Sequence, residues 1–218
     1  AYGISRFKKR FFAIPALYLT EAATEEFVSS RAGDAKFTDV YLRWMNGDTT
    51  AIQQMAPCSS VGIIDRLHYL SIGGHNPIFR GHGFEDFELY HRLVEEEGRL
   101  PRPRDYFHES KDWDSSAYRG FRSRLALLGR PAMLSNLFVV HLWHPRPKAL
   151  SFYNSAKMAT ARKVWPDVFK DFDKTRNHPP ALAPVEVEGD RTLVLGTPGS
   201  DSMRCMRDAY PFLGELIH

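Results

Sequence analysis

Two adjacent carboxylates behind a run of glycines are the residues best suited to chemistry. The stretch Ser71-Ile72-Gly73-Gly74-His75-Asn76-Pro77-Ile78-Phe79-Arg80-Gly81-His82-Gly83-Phe84-Glu85-Asp86-Phe87-Glu88-Leu89 leads into a helical pattern headed by Glu85 and Asp86. At helical spacing Asp86, Leu89, Tyr90 and Leu93 share one face, which turns Asp86 toward the packed side or a cleft. Glu88 and Arg92 then read as an exposed i,i+4 pair. A carboxylate at the mouth of a cleft is a natural general base for a hydroxyl. The plainer role for Glu85 and Asp86 is to complement the helix dipole, worth about 0.3–1 kcal/mol each. Gly81 and Gly83 argue for more, because they leave room for a ligand to approach the backbone.

Val140-His141-Leu142-Trp143-His144-Pro145 supplies two imidazoles. In the neutral form these bind manganese or another divalent ion. Residues three apart on a strand face opposite sides, so both serve one ion only if the strand ends between them. Pro145 makes such an ending plausible. The alternative is two histidines satisfied structurally beside Trp143. Asp112-Trp113-Asp114 and Asp171-Phe172-Asp173 have the spacing of a metal-binding Asp-x-Asp, yet neither follows an apolar strand. Both read as incidental. Arg119 and Arg122 alternate with Tyr118 and Phe121; guanidinium suits phosphate and aromatic faces suit sugar rings. A solvated helix face is the competing reading. Gly196-Thr197-Pro198-Gly199-Ser200 has the look of a phosphate cradle at a helix start, but it lacks a P-loop Lys and reads as a plain turn.

The elements that must hold these groups follow from periodicity and punctuation. Phe11 to Leu19 is apolar and extended, interrupted by Pro15. Thr20 caps a helix whose first turns carry Glu21, Glu25 and Glu26. Residues 34 to 54 have mixed helical periodicity, with Phe37, Val40, Tyr41, Trp44 and Met45 on one face. Ser60 to Ile64 is a short strand, Asp65 to Leu70 a short helix, and Ile72 to Pro77 a loop. A helix spans Glu85 to Glu97, ended by Gly98 and by Pro101 and Pro103. Residues 101 to 120 are irregular, and Phe121 to Leu128 forms a short helix. Leu137 to Trp143 is a strand stopped by Pro145, and residues 150 to 172 are helical. The prolines between Asn177 and Pro184 mark a linker. Thr192 to Leu195, the turn at 196–200 and a helix from Asp201 resemble the start of a new α/β unit.

Composition sets the outer bounds. A chain of 218 residues that is 43% hydrophobic and 13% aromatic can fill one sizeable core and is neither disordered nor fibrous. A net charge of +3 gives no case for nucleic-acid binding. The only two cysteines, Cys58 and Cys205, lack the spacing of a disulfide framework or zinc knuckle, which favours a reducing compartment. No apolar run approaches the length of a membrane span.

The motifs together resemble a known family. Val61 to Ile64, Gly73-Gly74 and Gly81-His82-Gly83-Phe84-Glu85-Asp86 are similar to the C-terminal motif of galactosyltransferase-like and chondroitin-synthase-like glycosyltransferases of the GT-A fold. The joint presence of Gly-His-Gly-Phe-Glu-Asp-Phe-Glu and Val-His-Leu-Trp-His-Pro resembles bacterial capsule polysaccharide polymerases more closely, over roughly residues 10 to 160. His82 stands where that pattern has Trp and Phe84 where it has Gly, so sugar specificity does not carry over.

The resemblance implies an α/β fold, the C-terminal, acceptor-and-metal portion of a GT-A mixed-sheet domain over residues 1–176. A linker at 177–190 and the beginning of a further α/β domain at 191–218 would follow. It implies an inverting transfer from a nucleoside-diphosphate sugar to a hydroxyl of a growing polysaccharide or oligosaccharide, with Mn2+ or Mg2+. Asp86 would be the base and Glu85 would contact the acceptor. Gly81, His82, Gly83, Phe84, Arg119 and Arg122 would contact substrate, and His141 or His144 the metal. The main Asp-x-Asp and the nucleotide-binding half would precede Ala1. The expected setting is the cytoplasm, with peripheral association at the inner face of a membrane. Two alternatives stand beside this reading. One is a non-catalytic carbohydrate-binding module; the other is a metal-dependent hydrolase using His141, His144 and nearby carboxylates.

Overall fold

Pro15 decides how the chain enters the fold. β1 (Phe11–Ala13) and β2 (Ala16–Leu19) lie on either side of Ile14-Pro15. β1 pairs antiparallel with β4 (Gly62–Ile64), Phe11 opposite Ile64. β2 is the centre of a second sheet of order β3-β2-β5. It runs antiparallel to β3 (Ile52–Ala56) and parallel to β5 (Val139–His141), with Tyr18 opposite His141. This computed structural model describes residues 11–30, 33–58, 61–79, 83–98, 100–109, 113, 116–145 and 155–182. All of these lie in the first of two units, Ala1–Leu182. The expected domain from 191, the turn at 196–200 and Cys205 lie outside the described residues, as do Asp112 and Asp114.

Side-chain caps open two of the helices among the described residues. Thr20 Oγ1 accepts from Ala23 N at 3.3 Å and opens α1 (Glu21–Ser29). After α2 (Gly33–Met45), Asp65 accepts from His68 N at 2.8 Å and opens α3 (Arg66–Ser71). α4 (Glu85–Glu97) ends on Gly98 in the left-handed region, φ 62°. α5 (Gly120–Leu134) and α6 (Ser155–Thr175) complete the set.

Two elements depart from the sequence reading. The helical pattern expected through residue 54 stops at Met45. There Gly47 takes φ 68°, and Asp48 Oδ1 accepts from the backbone N of Thr50 and Ala51, bending the chain into β3. α5 runs on through Gly129 and Pro131 to Leu134, although Leu128 was the expected end. Packing outweighs the two breakers: Ala132 and Met133 are buried, and Gly129 touches the Pro57 carbonyl so closely that a Cβ would collide with it.

The core has two parts. Phe11, Leu93, Phe121, Leu125, Trp165 and Phe169 join β1 to α4, α5 and α6. Leu17, Leu19, Val40, Ile52 and Met133 join the three-stranded sheet to α1, α2 and the end of α5. The result is a mixed α/β domain. Among the described residues no helix is long and apolar enough to cross a membrane.

Candidate functional site

The turn into α4 requires left-handed backbone twice in succession. Gly83 has φ 114° and Phe84 φ 72°, ψ −14°. That conformation costs a side-chain-bearing residue about 1–3 kcal/mol and persists only where packing over-determines it. Phe84 supplies the packing: its ring is 6% exposed, stacked 5.6 Å from Trp165 and edge-on to Phe87 at 5.8 Å. Phe84, expected to contact substrate, has its ring in the core, where it anchors the turn. Gly83 faces open space where a Cβ would stand. Gly81 and His82 lie outside the described residues.

The anchored turn presents Glu85, half-buried, and Asp86, whose side chain is 24% exposed. Asp86 Oδ1 lies 3.1 Å from His75 Nε2, and His75 Nδ1 lies 2.9 Å from the Tyr69 hydroxyl. A chain of three polar side chains thus runs from α3 through the loop to the head of α4. Beneath it, Leu89, Tyr90 and Leu93 are buried on the face that helical spacing assigns them. Tyr90 donates to Val61 O at 3.2 Å beside Gly62, tying α4 to β4. Burial pushes the Cys58 thiol and the Tyr90 phenol well up, and the charge of Asp86 adds to both.

Glu88 and Arg92 are not the exposed pair that their spacing suggests. They are 1% and 0% exposed, since the loop after α3 folds back over this face of α4. Arg92 reaches Glu88 Oε1 and Oε2 at 2.8 and 2.9 Å, donates to Ile72 O at 2.8 Å, and also donates to Gly74 O. Asn76 donates to Glu88 Oε1 at 3.3 Å. The pair pins the loop carrying His75 from both sides. The chain leaving α6 covers the other side of that loop. Leu182 N donates to Leu70 O at 2.9 Å, and Gly73, φ 73°, lies under Pro179 and Pro180 with no room for a Cβ. Within the expected linker, Pro179, Pro180 and Leu182 thus lie against this loop.

The other candidates are placed elsewhere. Arg122 lies 4.5 Å from the ring centroid of Phe87, the residue after Asp86, and pairs with Glu109 at 3.2 Å. Arg119 is exposed and pairs with Asp105 at 2.9 Å. His141 ends β5 and stacks on Tyr18 at 4.2 Å, while His144 stands 5.4 Å from it, centroid to centroid. Burial, and then the neighbouring His144, lowers the proton affinity of His141 and favours its neutral form. Trp143 N donates to Thr24 Oγ1 at 2.8 Å and fixes the segment on α1. Two imidazoles side by side, with His141 favoured in its neutral form, suit part of a divalent-metal site.

A second group of metal-type ligands, His91, Glu95 and Asp173, joins α4 to α6, with ligand atoms within 4.8 Å of one another. Guanidinium groups already occupy it. Arg102 contacts both carboxylates, and Arg124 and Arg176 contact Glu95. Three fixed positive charges oppose a cation there, and we read the group as an ion-pair network. Asp173, half of one Asp-x-Asp, is engaged in it.

The family described as glycosyltransferase like family 2 matches residues 4–170, most of the chain. The chain belongs to this family. No curated protein and no solved structure matches it. The protein is accordingly a glycosyltransferase, and the family implies a nucleotide-sugar donor and a carbohydrate acceptor; members commonly use a divalent metal. Sequence reasoning missed His75, and also missed that Glu88 and Arg92 form the floor beneath it. A histidine in a Gly-Gly-His-Asn-Pro turn has no periodic signal, and only the fold-back of the loop brings it to Asp86.

Proposed function

We propose that this glycosyltransferase moves a sugar from a nucleoside diphosphate to a hydroxyl of a growing polysaccharide, with inversion, and that Asp86 is its base. The carboxylate at the anchored head of α4, oriented by His75 and partly open to solvent, is the observation that carries this reading. Asp86 takes the proton of the acceptor hydroxyl, and half-buried Glu85 orients that hydroxyl. The freed oxygen attacks the anomeric carbon from the side opposite the diphosphate, which inverts the centre. His141 and His144 would hold part of the metal site, and an ion bound there would neutralise charge on the departing diphosphate. In this reading the metal's principal carboxylates come from an Asp-x-Asp other than Asp171 and Asp173, which lie on α6 with Asp173 engaged by Arg102. A capsular or cell-surface product made at the inner face of a membrane belongs to the same proposal.

The test is transfer by Asp86→Asn in the intact enzyme, read as nucleotide release from a panel of uridine-diphosphate sugars with oligosaccharide acceptor and Mn2+. A loss of about 10²–10⁴-fold is expected for removal of a general base. Wild-type turnover would rule out the assignment.

A further inference from the structure

We infer that His75 is the positioning residue of the Asp86 carboxylate, held in its Nε2–H tautomer by Tyr69. The inference rests on the reading of Asp86 as the base. It goes beyond that reading by assigning a role to a residue outside the Gly-Phe-Glu-Asp turn.

The hydrogen-bond directions follow from the groups themselves. Burial, with a further contribution from the charge of Asp86, pushes the Tyr69 phenol above its ordinary value of 10. At neutral pH it therefore carries its proton. Tyr69 donates that proton to His75 Nδ1 across 2.9 Å, which makes Nδ1 the acceptor of the ring. The ring proton then resides on Nε2 and points along the 3.1 Å contact to Asp86 Oδ1. This is the logic by which a partner on one imidazole nitrogen sets the function of the other. The loop has little freedom to lose the arrangement: Arg92 holds the carbonyls of Ile72 and Gly74, Gly73 sits under Pro179, and Asn76 is tied to Glu88.

The role fits the chemistry of the step. The acceptor O–H bond breaks and its proton goes to Asp86. The oxygen's electron pair forms the new bond to the anomeric carbon, and the bond from that carbon to the diphosphate breaks with its pair on the leaving group. Asp86 must begin ionised and correctly aimed. A donor on Oδ1 serves both needs: it fixes the carboxylate plane and favours the charged form. Among the described residues, titratable groups that face Asp86 besides His75 include Tyr69 on α3, Cys58 after β3 and Tyr90 on α4; both Cys58 and Tyr90 are buried and remain protonated at neutral pH. The Glu88–Arg92 salt bridge begins two residues further along α4. His75 is the group among these placed to donate to Oδ1.

The experiment has a kinetic arm and a spectroscopic one. In the intact enzyme, His75→Ala is expected to lower kcat about 10- to 100-fold, the scale of losing an orienting hydrogen bond, with the KM for the sugar nucleotide unchanged. The acid limb of its kcat/KM profile moves to higher pH, because the ionised carboxylate has lost a donor. His75→Gln, which can still donate to Oδ1, regains part of the rate. Long-range 1H–15N spectra of the protein above neutral pH should show His75 with Nδ1 bare and Nε2 protonated, and Tyr69→Phe should erase that preference. An Nδ1–H tautomer in the wild type overturns the inference. With Asp86→Asn inactive, a His75→Ala enzyme within twofold of wild type and with an unmoved acid limb overturns it too. Full activity in Asp86→Asn would instead bring down the base assignment on which it rests.

Discussion

Replacing Arg92 by methionine tests whether the site stands on a buried ion pair. The change removes two bonds to Glu88 and the donors to the carbonyls of Ile72 and Gly74, and it strands a carboxylate that is 1% exposed. Breaking a buried pair by deleting one partner costs about 3–5 kcal/mol. In a domain of this size each kcal/mol lowers Tm by about 2–4 °C, so Arg92→Met should melt about 6–20 °C below wild type. Circular dichroism and urea titration both measure the difference. The double variant Glu88→Leu with Arg92→Met should recover part of the loss, because the lone buried charge is gone. What remains is the part of that loss due to the two carbonyls left without the guanidinium. An exposed i,i+4 pair would contribute only about 0.3–0.5 kcal/mol. A single variant within about 0.5 kcal/mol of wild type would therefore refute the burial argument and return the pair to the surface.

Other outcomes follow from the same geometry. Burial pushes the Asp173 carboxyl up, but hydrogen bonds and charge from His91 and Arg102 outweigh it and bring it from 3.8 to about 2. A depressed carboxylate stabilises the fold above its unfolded value and loses that contribution as pH falls through the folded one. Asp173→Asn should thus cost about 2 kcal/mol at neutral pH. The gap in urea midpoints should close as pH falls from about 4 toward about 2, and a gap of constant size would contradict the ion-pair network. Gly73→Ala meets both a φ of 73° and the Pro179 carbonyl; thermal melting should show a loss of about 1–3 kcal/mol, with reduced transfer as the His75 loop shifts. Phe84→Ala removes the ring stacked on Trp165; a loss of about 3–5 kcal/mol is expected by urea titration, along with transfer activity, and a stable, inactive variant would restore Phe84 as a substrate contact.

Local signals in the sequence reported local structure well. Thr20, Asp65 and Gly98 are caps because their side chains or backbone freedom satisfy orphan helix groups, and that chemistry is written residue by residue. Pro15 likewise marks the break between strands. β3 was not legible, since Gln53 and Gln54 are exposed and only pairing with β2 gives the segment its extended form. α5 outran its breakers because Met133 completes the second core, a fact of tertiary packing. At the site, the Glu-Asp head of α4 and the buried face below it were readable from spacing. The burial of Glu88 and Arg92 was not, because a hydrophobic-periodicity rule assigns charged residues to solvent unless something folds over them. His75 had no pattern at all, and its role exists only through a contact eleven residues long in sequence.

The dipeptide Ile14-Pro15 distributes its backbone groups between two sheets. Ile14 N–H binds Val61 O at 3.0 Å on the side of β4, while the Pro15 carbonyl accepts from Val139 N at 2.9 Å on the side of β5. Proline has no N–H to satisfy at the crossing point, so the change of sheet leaves no donor stranded in the interior. One uninterrupted run of nine residues, Phe11 to Leu19, therefore acts as a spine common to both cores. α5 crosses between the same two cores, with Phe121 and Leu125 in one and Met133 in the other, so a hinge at Ile14-Pro15 would also have to bend this helix. The framework behind Asp86 and the framework behind His141 are thereby joined by two continuous elements, this spine and α5.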